Sequence, residues 1–99
     1  MKKLDFYTQK TVNGKKAAVI VSGYTDGIYN YYKTDGGFWW AIHPGTGLGI
    51  TTCTCSSRKT AVENAYDPYI IEKLENYFST DHGKQAIENF NKLIEGVKQ

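Results

Sequence analysis

Apolar and polar residues alternate along the first half of the chain, then apolar residues recur every third or fourth position along the second. In the first half, runs rich in Val, Ile, Tyr, Trp and Thr are interrupted by Asn13-Gly14, Asp26-Gly27 and Asp35-Gly36. Such dipeptides favour two-residue hairpins because both central positions need φ > 0. A fourth turn, Pro44-Gly45-Thr46-Gly47, separates Phe38–His43 from Leu48–Cys55. The pattern predicts a meander of five short antiparallel strands near 3–12, 15–23, 28–34, 38–43 and 48–55. After a capping Ser56 or Ser57 the period becomes helical, with Ala61, Val62 and Ala65 on one stripe. Asp67-Pro68 starts a second helix as cap and first helical residue, with Ile70, Ile71, Leu74, Tyr77 and Phe78 as its apolar stripe. Asp81 opens a third, whose stripe is Ala86, Ile87, Phe90, Leu93, Ile94 and Val97. The expected fold is α+β, a five-stranded antiparallel meander with two to three C-terminal helices on one face. It forms one domain, sheet over 1–55 and helices over 56–99.

Register sorts the strand residues onto two faces, because residues directly opposite in an antiparallel pair project to the same side. Two-residue turns set Val12 opposite Lys15, Thr25 opposite Ile28 and Thr34 opposite Gly37, and the fourth turn sets His43 opposite Leu48. Propagated along the strands, this gathers Leu4, Phe6, Val19, Val21, Tyr32, Trp39, Ala41 and Ile50 on an aliphatic face suited to the helices. The other face collects Tyr7, Tyr24, Tyr29, Tyr31, Lys33, Phe38, Trp40, Ile42 and Thr51, and is expected to meet water or a partner. Tyr and Trp bury large area at low entropy cost while keeping a polar handle, so they concentrate in interfaces. Shielding of the sheet by these rings, or a homodimer burying them, is the alternative. A single slipped turn exchanges the faces downstream of it.

Composition narrows the classes. With 99 residues, 40% hydrophobic and 14% aromatic, the chain suits one small folded domain rather than a disordered segment. No apolar stretch approaches the ~18 residues of a membrane span, and no apolar segment follows Lys2-Lys3 as secretion would need. A soluble, cytoplasmic chain is expected, without a membrane partner. Net charge is +2, divided into a basic first half and an acidic second half. A pI near 8.5 is low for strong non-specific DNA binding.

Candidate chemistry is sparse. Cys53-x-Cys55 with His43 and His82 would make a Cys2His2 zinc set, but the expected register places Cys53 about five rows, or roughly 16 Å, from His43. The same distance separates a Cys–His nucleophilic pair. Buried or edge thiols are the simpler reading, and neither a metal nor a cofactor is expected. Gly45-Thr46-Gly47-Leu48-Gly49 lacks the phosphate-loop spacing and reads as a hairpin turn. Ser57-Arg58-Lys59 sets two cations, Arg58 and Lys59, at a helix start, where an anion could be held; solvated basic residues are the plain alternative.

The stretch Trp40-Ala41-Ile42-His43-Pro44-Gly45-Thr46-Gly47-Leu48-Gly49-Ile50, followed by Ser57-Arg58-Lys59-Thr60-Ala61-Val62-Glu63-Asn64-Ala65, resembles small accessory proteins of bacteriophages and mobile elements. It covers about a quarter of the chain. Many such proteins, anti-CRISPR proteins among them, inhibit a host defence complex by binding it without catalysis, and the resemblance implies that mode here. Thr60-Ala61-x-x-x-Ala65-Tyr66-Asp67 is also similar to DNA-binding domains of the AP2 type, although the arginine-studded strands those domains use are missing.

Three functional readings follow. The first is a non-enzymatic binding protein, a phage-type inhibitor of a host defence protein or ribonucleoprotein. Its anchors would be Tyr7, Tyr24, Tyr29, Tyr31 and Trp40, with Lys33 at the rim and Arg58 and Lys59 nearby. The second is a single-stranded nucleic-acid binder stacking bases on the same rings. The third is a small Cys/His metal protein or enzyme.

Overall fold

The computed structural model describes residues 1–50 and 55–98. Four strands, β1 (Lys2–Val12), β2 (Lys15–Thr25), β3 (Asn30–Lys33) and β4 (Trp39–Ile42), form one antiparallel sheet in sequential order. Three helices follow: α1 (Arg58–Ala65), α2 (Pro68–Phe78) and α3 (Asp81–Lys98). The α+β class and the meander stand as expected, with four strands among the described residues where five were expected. Of the expected fifth strand, 48–55, the described residues make two isolated bridges on the far edge of β4, Ile42 to Gly49 and Trp39 to Cys55, and 51–54 lie outside the described residues. Thr51 and Cys53 lie outside the described residues.

Local chemistry explains the boundaries. Asn13 and Gly14 both take positive φ, 52° and 78°, so β1 and β2 pair without a slip from Lys2–Thr25 to Val12–Lys15. The Ser57 side chain accepts the Thr60 N–H and caps α1. Asp67 caps α2 through the Tyr69 N–H, with Pro68 in the first turn where its missing donor is harmless.

Two of the four turns differ from the expected register. The loop after β2 has four residues, so Thr25 pairs with Asn30 rather than Ile28. That two-residue shift preserves parity and keeps Tyr24 and Tyr31 on one side. The loop after β3 spans five residues, with Gly37, at φ 86°, as its left-handed position. Gly37 donates to the Thr34 carbonyl, Thr34 donates to the Phe38 carbonyl, and Lys33 pairs with Trp39. The odd shift flips parity. Trp39 and Ala41 join Tyr31, while Trp40 and Ile42 join Tyr32 and Asn30 on the opposite side. The last turn is as expected, with the His43 N–H on the Leu48 carbonyl.

The helices cover the tyrosine side, which corrects the expected orientation of the sheet. Tyr31, Ala41, Ile50 and Cys55 are packed with Ala61 and Ala65 of α1 into the main core. The two alanines are fully buried, and their small side chains let α1 lie close on β3 and β4. Phe6, Tyr32 and Ile42 form a second cluster with Val21 on the other side. That side is sheltered because the sheet curls until the free edge of β1 meets the turn after β4. The Gln9 N–H and the Thr8 hydroxyl, on the free edge of β1, both donate at 2.8 Å to the carbonyl of Gly47, in the turn after β4. Gly47 is at φ 66°, and a Cβ there would strike the buried Phe90 ring of α3, so the turn requires glycine.

One carboxylate ties sheet to helix. Asp26 Oδ1 accepts the backbone N–H groups of Ile28 and Tyr29, shaping the β2–β3 loop. Asp26 Oδ2 accepts the hydroxyls of Tyr31, at 2.8 Å, and of Tyr66, the C-cap of α1, at 2.7 Å. Burial pushes this carboxyl up, but the four hydrogen bonds together hold it below its ordinary value. Burial, then the bond to Asp26, pushes the Tyr66 hydroxyl up to about 12 and Tyr31 higher still.

Replacing Asp26 by Ala should destabilise the fold by about 2–3 kcal/mol in urea unfolding, since bonds to a charged acceptor are the stronger class. The pH dependence is fixed by the direction of the shifts. The Asp26 contribution is full above about pH 4 and is lost as pH falls through its lowered folded-state value. The tyrosine contribution is full below about pH 10 and is lost as pH rises toward 12. Absorbance titration at alkaline pH should show Tyr31 and Tyr66 ionising only as the protein unfolds, and ionisation of both within the folded state would refute the network.

Candidate binding surface

The expected anchors divide between the two sides of the sheet. Tyr31 is fully buried and is a core residue, because the helices pack where water was expected. Tyr24 is half-buried, with the Trp39 ring 6.1 Å away and the Arg58 guanidinium 4.2 Å from its centroid. Tyr29 is packed against the main core and lies 5.3 Å from the Tyr66 ring. Tyr7 is half-buried on the same side, while Lys33 is exposed at the end of β3. The tyrosine side is therefore the seam between sheet and helices. Arg58 stacks on Tyr24 within that seam, and Lys59 is solvent-exposed on α1.

Trp40 is separated from Tyr31 by the parity flip and stands on the helix-free side, 43% exposed. Phe38, just before β4, is 44% exposed beside it. Both line an open groove of about 670 Å3 whose floor includes the buried Tyr32 ring and whose wall includes Lys10. The Lys10 ammonium lies 5.4 Å from the Tyr32 centroid, a cation–π placement. Asp35, in the β3–β4 loop, lines the same groove and balances that charge. Two exposed rings over a buried third, with one cation and one anion beside them, have the make-up of an interface hot spot and its polar surround.

Sequence reasoning grouped Phe38 with Trp40 correctly, but set Tyr32 on the opposite side and did not single out Lys10. The signal for this arrangement is the second glycine of Gly36-Gly37: the left-handed residue falls at Gly37 rather than Gly36, in a longer loop that puts Tyr32 on the side of Trp40.

His43 is engaged within the fold. His43 Nδ1 lies 3.2 Å from the Thr46 hydroxyl, and its ring stacks on Phe78 at 4.4 Å. Burial lowers its pKa, favouring the neutral ring. Cys55 is buried opposite Trp39 at the far end of β4, about 13 Å of strand from His43. Among the described residues no three His, Cys, Asp or Glu side chains are grouped to hold a metal ion, and no helix is long and apolar enough to cross a membrane.

Comparison with protein-family models, curated proteins and solved structures finds no match to this chain.

Exposure makes the two sides separable by mutation. Trp40→Ala should change stability by less than about 1 kcal/mol, whereas Tyr31→Ala, which empties a core site and strips Asp26 of a donor, should remove about 3–5 kcal/mol. Equal losses in denaturant titrations would show that Trp40 is core rather than surface.

Proposed function

We propose that this chain is a non-enzymatic binding protein that engages a protein partner through Phe38 and Trp40, with Tyr32 beneath them and Lys10 and Asp35 alongside. The carrying observation is the pair of large rings, each more than two-fifths exposed, side by side on the one side of the sheet that no helix covers. Desolvating such rings is the main source of affinity in protein interfaces, and a balanced pair of flanking charges suits a protein surface better than a polyanion. The absence of turnover is supported by the engagement of Asp26 in four hydrogen bonds and of His43 in its stack. Blocking a host defence complex by occupancy, the mode implied by the resemblance to phage accessory proteins, is the finer form of this proposal.

A second reading, single-stranded nucleic acid stacked on the same rings, is favoured by one observation. The β1–β2 hairpin carries Lys2, Lys3, Lys10, Lys15 and Lys16 against Asp5 alone.

The test is partner capture by the full chain and by the Phe38→Ser/Trp40→Ser variant, with and without nuclease. The proposal expects nuclease-resistant capture that falls at least about tenfold in the variant, the effect of losing roughly 1.4 kcal/mol or more, while the melting temperature is retained. Capture unaffected by the substitutions would overturn it. Capture abolished by nuclease, with oligonucleotide affinity falling steeply as salt rises, would establish the second reading instead.

A further inference from the structure

A second concavity lies on the opposite side of the molecule's sheet, between the β1–β2 hairpin and α3. It encloses about 480 Å3, within the range of small-molecule sites. Gln9 of β1, Lys16 of β2, and His82, Gln85, Asn89 and Lys92 of α3 supply its polar wall. The α3 residues fall at i, i+3, i+7 and i+10, so they share one face of the helix. Among the described residues no carboxylate lines the cleft. The acids of α3, Asp81, Glu88 and Glu95, recur every seven residues and form an adjoining stripe whose mean direction is about 80° from that of the cleft residues at 100° per residue. α3, with three acids and three lysines, therefore presents its amides and Lys92 to the cleft, where Lys16 of β2 adds a second cation.

Two further features narrow the ligand. Gln85 Nε2 donates to Asn89 Oδ1 at 2.9 Å, which fixes the two amides against each other and leaves Gln85 Oε1 to accept and Asn89 Nδ2 to donate. An adjacent acceptor and donor is the complement that a heteroaromatic base edge requires. Tyr77, 40% exposed, and Leu48, 38% exposed, line the same cleft and offer a ring and an aliphatic side chain for a flat apolar group. Inorganic phosphate would leave the ring and amides unused, and an acidic peptide would use only the two lysines.

We infer that this cleft binds a nucleotide, its phosphates held by Lys16 and Lys92 and its base set against Tyr77 and read by the Gln85–Asn89 pair. The site is distinct from the Phe38–Trp40 patch, so either can fail without the other.

The experiment is an NMR titration of the isotopically labelled full chain with ADP at low salt, beside adenosine, inorganic phosphate and an acidic decapeptide. The expected result is saturable shifts of the Gln85 and Asn89 side-chain amides and the Tyr77 ring, with a Kd between about 10 μM and 1 mM and at least about tenfold weaker binding of the other three probes. Lys16→Gln/Lys92→Gln should weaken ADP at least about tenfold without moving the melting temperature, since both side chains are exposed. Should that variant unfold, Gln85→Glu, which removes the amide that orients Asn89 and reads the base, should do the same. No saturation up to about 10 mM ADP, well above any affinity of the expected class, would overturn the inference. So would equal affinity for phosphate or the decapeptide, or undiminished ADP binding by a folded variant.

Discussion

The Asp26 carboxylate is the constraint on which the rest of the architecture depends. It shapes the loop that sends β3 back along β2, and it fixes the hydroxyl of a core ring, Tyr31, at the centre of the sheet. It also receives Tyr66 from the end of α1, forty residues away in sequence. A phenol buried without an acceptor costs free energy, and so does a carboxylate removed from water without donors. Each removes the penalty of the other, which is why a tyrosine can occupy the core position that an aliphatic residue would ordinarily fill. Because α1 is docked at this point, β3 and β4 are covered on that side, and the rings that remain in water are those of the opposite side.

The curl of the sheet follows from a second constraint. β2 and β3 share only two residue pairs, so the β3–β4 hairpin is attached near one end of a hairpin eleven residues long on each strand. Twist accumulates along such long strands. It carries the free edge of β1 round to the turn after β4, where Gly47 receives Thr8 and Gln9. A glycine at that turn admits both the left-handed backbone and the Phe90 ring of α3. Edge satisfaction, sheet curvature and helix docking thus meet at one residue. The curvature shelters Phe6, Tyr32 and Ile42 on the helix-free side and leaves Phe38 and Trp40 standing at its margin.

The elements themselves were legible because their signals are local. Asn13-Gly14 specifies its hairpin, Ser57 and Asp67-Pro68 specify helix starts, and the apolar stripes specify helical period. The class of fold follows from those signals together. Side-of-sheet assignments were not legible, because they depend on the parity of every preceding loop. Asp35-Gly36-Gly37 is compatible with a two-residue turn or with a five-residue loop. Only the packing of Trp39 and Ala41 against α1, a long-range event, selects between them. Asp26 was hidden for a similar reason. The Asp-Gly dipeptide is a turn signal in its own right, so a carboxylate needed for tertiary hydrogen bonding looks the same in sequence as one that merely begins a hairpin.

The parity flip also bears on what the surface can do. Had Trp40 shared a side with Tyr31, its indole would lie beneath α1 and the helix-free side would carry Trp39 and Ala41 instead, with less aromatic area to offer. The five-residue loop thus reassigns the two adjacent tryptophans: Trp39 packs with Tyr24 in the seam, and Trp40 faces outward beside Phe38. The buried tyrosines then serve the fold and the exposed rings are left for contact, so that the aromatic richness of the chain is divided between stability and recognition rather than spent on either alone.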